Sequence, residues 1–111
     1  RAWPHEREGV AQKAHALTAS APDRRAMIPG VLDTLGFVHY ARGEYTQAEP
    51  LLKKAVELAA NDATMQYHLG MAYYRLGQKD QAATWLRRSL QNGGNFAEAG
   101  RVRDLLKELG G

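Results

Sequence analysis

The stretch LGFVHYARGEY at residues 35–45 returns 34 residues later as the related stretch LGMAYYRLGQK at residues 69–79. The same offset relates Ala48 to Ala82 and Leu52 to Leu86 in the sequence that follows each copy. A constant offset of this length indicates stacked repeats, because one such unit cannot bury its apolar face alone. We therefore predict two consecutive copies of one structural unit that bury their apolar faces against each other.

The composition and charge of the chain indicate the class of protein to which it belongs. The chain has 111 residues, of which 44% are hydrophobic and 24% charged, with a net charge of +3, and these values are typical of one soluble globular domain. Acidic residues are interspersed with Lys and Arg, whereas a nucleic-acid-binding protein usually concentrates its basic residues on one face. No apolar run approaches the length that spans a bilayer. We expect neither a nucleic-acid partner nor membrane insertion of this segment.

The start of the sequence and its lack of cysteine bear on processing and compartment. The chain opens on Arg1 without a charged and then apolar leader, and we interpret it as a fragment of a longer protein. Because it has no Cys, it has neither a disulfide framework nor a thiolate metal site. Both the cytoplasm and the periplasm therefore remain open as compartments.

The N-terminal region has a helical pattern of its own. Residues Trp3 to about Ser20 contain few helix breakers, and apolar residues recur at helical spacing. These residues are Val10, Ala14, Leu17 and Ala21. One period before Gly43 and Ala48 stand Gly9 and Ala14, so residues 1–28 are predicted to be either part of an earlier repeat or a separate N-terminal helix.

The first full copy of the repeat is predicted to be a helical hairpin. Its first helix is expected from Pro29, which suits a first helical turn, to Arg42. Gly43 follows as a residue that tolerates a positive φ angle, and Tyr45 to Ala59 resumes a helical pattern. Two helices joined by so short a turn lie antiparallel. Pro50 falls within the first turns of the second helix, where a missing N–H group costs little.

The second copy is predicted to have the same form and to be followed by a capping helix. Asn61-Asp62 offers an N-cap, Gly77 ends the first helix, and a partner helix from Lys79 to Asn92 ends at Gly93-Gly94. Asn95 and Glu98 have the spacing of a capping box that begins a last helix from Phe96 to Leu109. This helix breaks the repeat pattern, because Arg103 and Asp104 stand where Leu and Gly would recur. We expect it to cap an all-α solenoid, with Gly110-Gly111 as a tail.

Taken together, these positions resemble the tetratricopeptide repeat, a helix–turn–helix unit of 34 residues. The resemblance rests on the following residues: Leu35-Gly36, Leu69-Gly70, Tyr73, Gly43, Gly77, Ala48, Ala82, Leu52, Leu86 and Ala55. It implies a right-handed superhelix with repeats at 29–62 and 63–96 and a cap at 97–111. Leu32, Gln66, His39, Ser89, Ala60 and Gly94 depart from the usual pattern. The sequence of residues 32–45 is also similar to bacterial repeat lipoproteins and cell-envelope proteins linked to exopolysaccharide export.

The resemblance further implies which side chains face a ligand, because the first helices of successive units line a concave groove in this family. By position these residues are Asp33, Phe37, Tyr40, Ala41, Tyr67, His68, Met71, Tyr74 and Arg75. The set is rich in aromatic rings and suits a peptide with apolar anchors. Tyr40 and Tyr74 are equally well explained as rings that pack between helices. Tyr67 and Met71 are interpreted as groove residues, and replacing both with Ala is expected to abolish partner capture while leaving helicity and melting nearly unchanged.

Two kinds of partner follow from this interpretation. The carboxylate clamp of chaperone-binding family members is not expected, because neither groove helix contains Lys and Asp33 would repel a carboxylate ligand. The expected partner is therefore a protein or peptide segment held in the groove. The alternative is self-association, as a homodimer or as part of a longer solenoid, in which a second copy covers an apolar surface.

No group of residues in the sequence has the spacing of a catalytic or metal-binding site. The four His are scattered without metal-ligand spacing, and no nucleophile with a base or phosphate-binding loop stands out. We therefore expect no enzyme activity, no metal and no cofactor. His39 is predicted to be a buried, hydrogen-bonded core residue, and Asp33 is predicted to meet His68 as a surface ion pair.

The outer helices carry a basic pair and a tryptophan. Arg87 and Arg88 lie on the second helix of the second unit, which this architecture turns away from the groove, so they are expected on a solvated face. Trp85 is expected to pack against the capping helix.

Overall fold

The computed structural model describes residues 24–93 and 96–110, and within these residues all regular secondary structure is helical. The helices are α1 (Arg24–Ala41), α2 (Tyr45–Leu58), α3 (Ala63–Arg75), α4 (Lys79–Asn92) and α5 (Ala99–Glu108). The predicted all-α architecture is confirmed. Three predictions concern residues outside those described: the helix between Trp3 and Ser20, the capping contact of Asn95, and, for its residues 1–23, the assignment of residues 1–28 to part of an earlier repeat or to a separate N-terminal helix.

Each repeat is a hairpin whose turn requires glycine. Gly43 ends the turn after α1 with φ +78°, and Gly77 ends the turn after α3 with φ +79°. A side chain is strained at these angles, which explains why Gly recurs at both positions. The hairpins also close tightly at a second glycine, since a Cβ atom on Gly36 would lie 2.8 Å from Leu52.

The helices begin where they were predicted to begin, except for the first and last helices. Asp62 caps α3 as predicted, and its side chain accepts a hydrogen bond of 3.0 Å from the backbone N–H of Met65. Helix α1, however, begins at Arg24 and not at Pro29. Pro29 is the sixth residue of α1, where a proline costs one backbone hydrogen bond and crowds the preceding turn, but this local cost does not prevent helix from preceding it. The predicted start at Pro29 is therefore wrong, because Pro29 lies inside the helix.

The core consists of two adjoining clusters, one on each side of α3. The first cluster lies between α2 and α3 and includes Leu52 and Leu69, both fully buried. The second lies between α3, α4 and α5 and includes Met71, Leu86 and Val102. Helix α3 therefore occupies the centre of the described fold, with apolar contacts on two sides.

The two copies of the Leu-Gly pair occupy different environments. Leu69 is 0% exposed, whereas Leu35 is 47% exposed. Leu69 belongs to the cluster that α2 contributes to, whereas no helix described in the structure precedes α1. Equivalent residues thus have unequal burial because the first repeat lies at the edge of the described stack.

Helix α5 begins three residues later than predicted and covers the end of the stack. Residues 96–98 form turns, and the backbone N–H of Ala99 donates to the carbonyl of Phe96 at 3.0 Å. Val102, Leu105 and Leu106 of α5 pack against the second cluster. Among the helices described here, none is both long and apolar enough to cross a bilayer.

Candidate partner-binding surface

The first helices of the two repeats, α1 and α3, meet through a polar contact. The Nδ1 atom of His68 lies 2.8 Å from the Oδ1 atom of Asp33, and the two side chains are only 13% and 15% exposed. The predicted meeting of Asp33 and His68 is confirmed, but the pair is more buried than a surface ion pair. It fixes the spacing of α1 and α3 at the point where the two repeats share a face.

Aromatic rings gather around this contact. The ring of Phe37 stacks on Tyr40 at a centroid distance of 5.6 Å with 14° between the planes, and it lies 4.3 Å from the ring of His68. Phe37 remains 39% exposed. An apolar ring held in place by two neighbours and still open to solvent presents a preformed contact.

The far end of the same surface is polar. The Nε atom of Arg75 donates a hydrogen bond of 3.3 Å to the hydroxyl of Tyr40, and this bond raises the pKa of the guanidinium. Arg75 also lies 5.8 Å from the ring centroid of Tyr74, whose hydroxyl donates to Glu108 at 3.2 Å. We call the surface formed by Asp33, Phe37, Tyr40, His68, Tyr74 and Arg75 the first-helix surface.

The structure corrects the interpretation of Tyr67 and Met71. Met71 is 2% exposed and Tyr67 8% exposed, because both pack in the second cluster under α5. Burial raises the pKa of Tyr67, and its ring meets Phe96 edge-on at 6.0 Å. These two side chains are core residues of the capped repeat and are not available to a ligand.

The other residues for which a position was predicted differ in their exposure to solvent. Tyr40 and Tyr74 are partly buried and pack against both clusters, so packing and surface contact combine in each. Ala41 and Arg75 are exposed. His39 is half-buried and not in the core, and its Nδ1 atom lies 2.9 Å from Glu44.

The outer side of the stack has a feature that the sequence did not reveal. Trp85 packs against the first cluster and faces α2, and the expectation that it packs against α5 is wrong. The guanidinium of Arg88 lies 4.6 Å from the centroid of the Trp85 ring, and Arg87 and Arg88 are exposed as predicted. Depressions of 280 and 410 Å³ flank the ring. The position of Trp85 depends on how α2, α3 and α4 pack around the first cluster, which is a tertiary feature.

The described residues offer no metal site, since residues 24–93 and 96–110 contain no group of three His, Asp or Glu side chains placed to hold an ion. The site is thus a surface of apolar, aromatic and paired polar side chains on the first helices of two helical hairpins. Such a fold and surface define a helical repeat scaffold.

The family follows from a direct comparison. The sequence model of the tetratricopeptide repeat family matches residues 28–92, more than half of the chain, and the protein belongs to this family. Repeats of this family generally mediate protein–protein interactions, and the family is one of non-catalytic scaffolds. No curated protein matches the chain.

Proposed function

We propose that the protein binds an extended or helical segment of a protein partner on the first-helix surface. The observation that carries this proposal is the ring of Phe37, which is 39% exposed and is held between Tyr40 and His68. A partly exposed aromatic ring with fixed neighbours can bury an apolar partner residue at little ordering cost to the scaffold.

The polar groups around Phe37 support the same proposal. The Asp33–His68 contact holds α1 and α3 together without using the ring itself. Arg75 is exposed and supplies donors at one end of the surface. A ligand would therefore place an apolar residue on Phe37 and an acceptor group near Arg75.

Selection from a random peptide display library on the full chain tests this proposal. We expect enriched peptides to carry an apolar or aromatic residue and to lose at least about tenfold in affinity with Phe37→Ala, since a lost apolar anchor costs more than 1.4 kcal/mol. The matched control is Leu58→Ala, because Leu58 is 49% exposed but lies at the end of α2.

Two outcomes would contradict the proposal. One is that no peptide is enriched, and the other is that the enriched peptides bind Phe37→Ala and Leu58→Ala equally well. Light scattering on the same samples detects the alternative of self-association, in which the protein's mass doubles and Phe37→Ala restores the monomer.

A further inference from the structure

Helix α1 carries an apolar stripe that no helix described in the structure covers. Ile28, Val31, Leu35 and Val38 are 45%, 45%, 47% and 47% exposed. Their spacing of three, four and three residues places them along one side of the helix. At about 100° per residue, this side is opposite to Asp33 and Phe37, so the stripe is separate from the first-helix surface.

The second repeat shows how the equivalent stripe is buried. Leu69, the counterpart of Leu35, is covered by the helix that precedes it in the chain, α2. Apolar residues of α2 and α3 that are equally distant from the centre of the connection between them share one buried cluster. Leu52 with Leu69 and Ala48 with Tyr73 are two such pairs.

The sequence before α1 has apolar residues at the mirrored positions of three of the four stripe residues. Helices usually end before a proline, and Asp is a favoured N-cap, so Pro22-Asp23 is expected to be the connection that precedes α1 at Arg24. Residues equally distant from this connection pair Leu17 with Ile28, Ala14 with Val31 and Val10 with Leu35. The spacing of the apolar residues thus matches at three of the four stripe positions, while Val38 is paired with Arg7.

We propose that residues 1–21 of the same chain form a helix that docks antiparallel onto this stripe, with Val10 against Leu35 and Leu17 against Ile28. The competing occupant is a second copy of the chain. A segment tethered through a short connection has an effective concentration of about 1 mM, well above the usual concentration of a second copy, so the intramolecular partner is favoured.

The absence of Cys makes the test direct, because every introduced thiol is unique. The full chain with Val10→Cys and Leu35→Cys is treated with a short bismaleimide, and intact mass shows whether the link is within one chain. The matched control is Val10→Cys with Phe37→Cys, since Phe37 is similarly exposed but lies on the other side of α1. We expect the first pair to link intramolecularly about ten times faster or more, because its thiols are held in proximity.

A second pair keeps the test independent of one substitution. Ala14→Cys with Val31→Cys makes only small changes and is expected to behave like the first pair, with helicity by circular dichroism equal to that of the unmodified chain. Equal linking rates for the 10/35 and 10/37 pairs would overturn the docking. Links formed mainly between two chains would overturn it in favour of a second copy on the stripe.

Discussion

The imidazole of His68 and the carboxylate of Asp33 lie 2.8 Å apart and join α3 to α1 across the boundary between the repeats. Both side chains are more than 80% buried. A hydrogen bond to a carboxylate in such a place is worth more than an exposed ion pair, because water competes less for its partners.

A double-mutant cycle measures this contact. We expect Asp33→Ala and His68→Ala to be coupled by about 1.5–3 kcal/mol in the free energy of unfolding, since hydrogen bonds to charged groups contribute this much. Urea denaturation of the two single variants and the double variant gives the value. The more exposed pair Arg42 and Glu44, at 3.4 Å, is the comparison, with an expected coupling near zero. Additive effects of Asp33→Ala and His68→Ala would show that the contact does not bind the repeats together.

The two helices of each hairpin pack tightly at a glycine. A Cβ atom on Gly36 would lie 2.8 Å from Cγ of Leu52, and one on Gly70 would lie 2.9 Å from Cγ of Leu86. Both leucines are fully buried. We expect Gly36→Ala and Gly70→Ala each to destabilise the fold by about 1–3 kcal/mol through overpacking, measured by urea denaturation.

Gly30 supplies the matched control for these substitutions. It lies within α1, and no atom stands within 4 Å of the place where its Cβ would be. Gly30→Ala is expected to stabilise the protein by about 0.5–1 kcal/mol, because Ala loses less backbone entropy in a helix. If Gly36→Ala were stabilising in the same way, the two helices would not pack as closely as the structure shows.

These glycines also show how far the sequence predicts the fold. Gly36, Gly43, Gly70 and Gly77 recur with the period, and period and turn chemistry together predicted the hairpins and their limits to within a residue at α2 and α4. The start of α1 was predicted wrongly because a proline is compatible both with a helix start and with the second turn of a longer helix.

The candidate site was harder to predict than the fold. Family position placed Asp33, Phe37, His68 and Met71 on one surface, but the exposure of each depends on what packs over it. Helix α5 covers Met71 and leaves Phe37 uncovered. Periodicity on α3 gives the side on which a residue lies, whereas the extent of the capping helix over that side is a tertiary property.

This difference makes Met71 and Phe37 opposite in their expected effects on stability. We expect Met71→Ala to cost about 2–5 kcal/mol, as for a large core side chain that leaves a cavity. Phe37→Ala is expected to cost only about 1 kcal/mol, the value of its ring contacts with Tyr40 and His68. Thermal and urea unfolding of both variants measure these losses. A Met71→Ala protein as stable as the parent would mean that α5 does not seal this part of the core.

The hydroxyl of Tyr73 gives the fold a dependence on alkaline pH. It donates a hydrogen bond of 2.8 Å to Oε2 of Glu49, and burial together with this bond raises the pKa of Tyr73 to about 12 from 10.0. Because the folded-state pKa is above the unfolded value, the folded chain holds the proton more tightly. The stability from this group is therefore complete below about pH 10 and is lost progressively as the pH rises towards about 12.

Urea unfolding of the parent protein, Tyr73→Phe and Glu49→Gln at about pH 8 and about pH 11 measures this contribution. We expect the parent to lose more stability between the two pH values than Tyr73→Phe, which has no phenol to ionise. Glu49→Gln keeps an acceptor but removes the negative charge, so its loss is expected to lie between those of the other two. Equal losses in the parent and Tyr73→Phe would show that the Tyr73 proton is held no more tightly in the folded chain than in the unfolded chain.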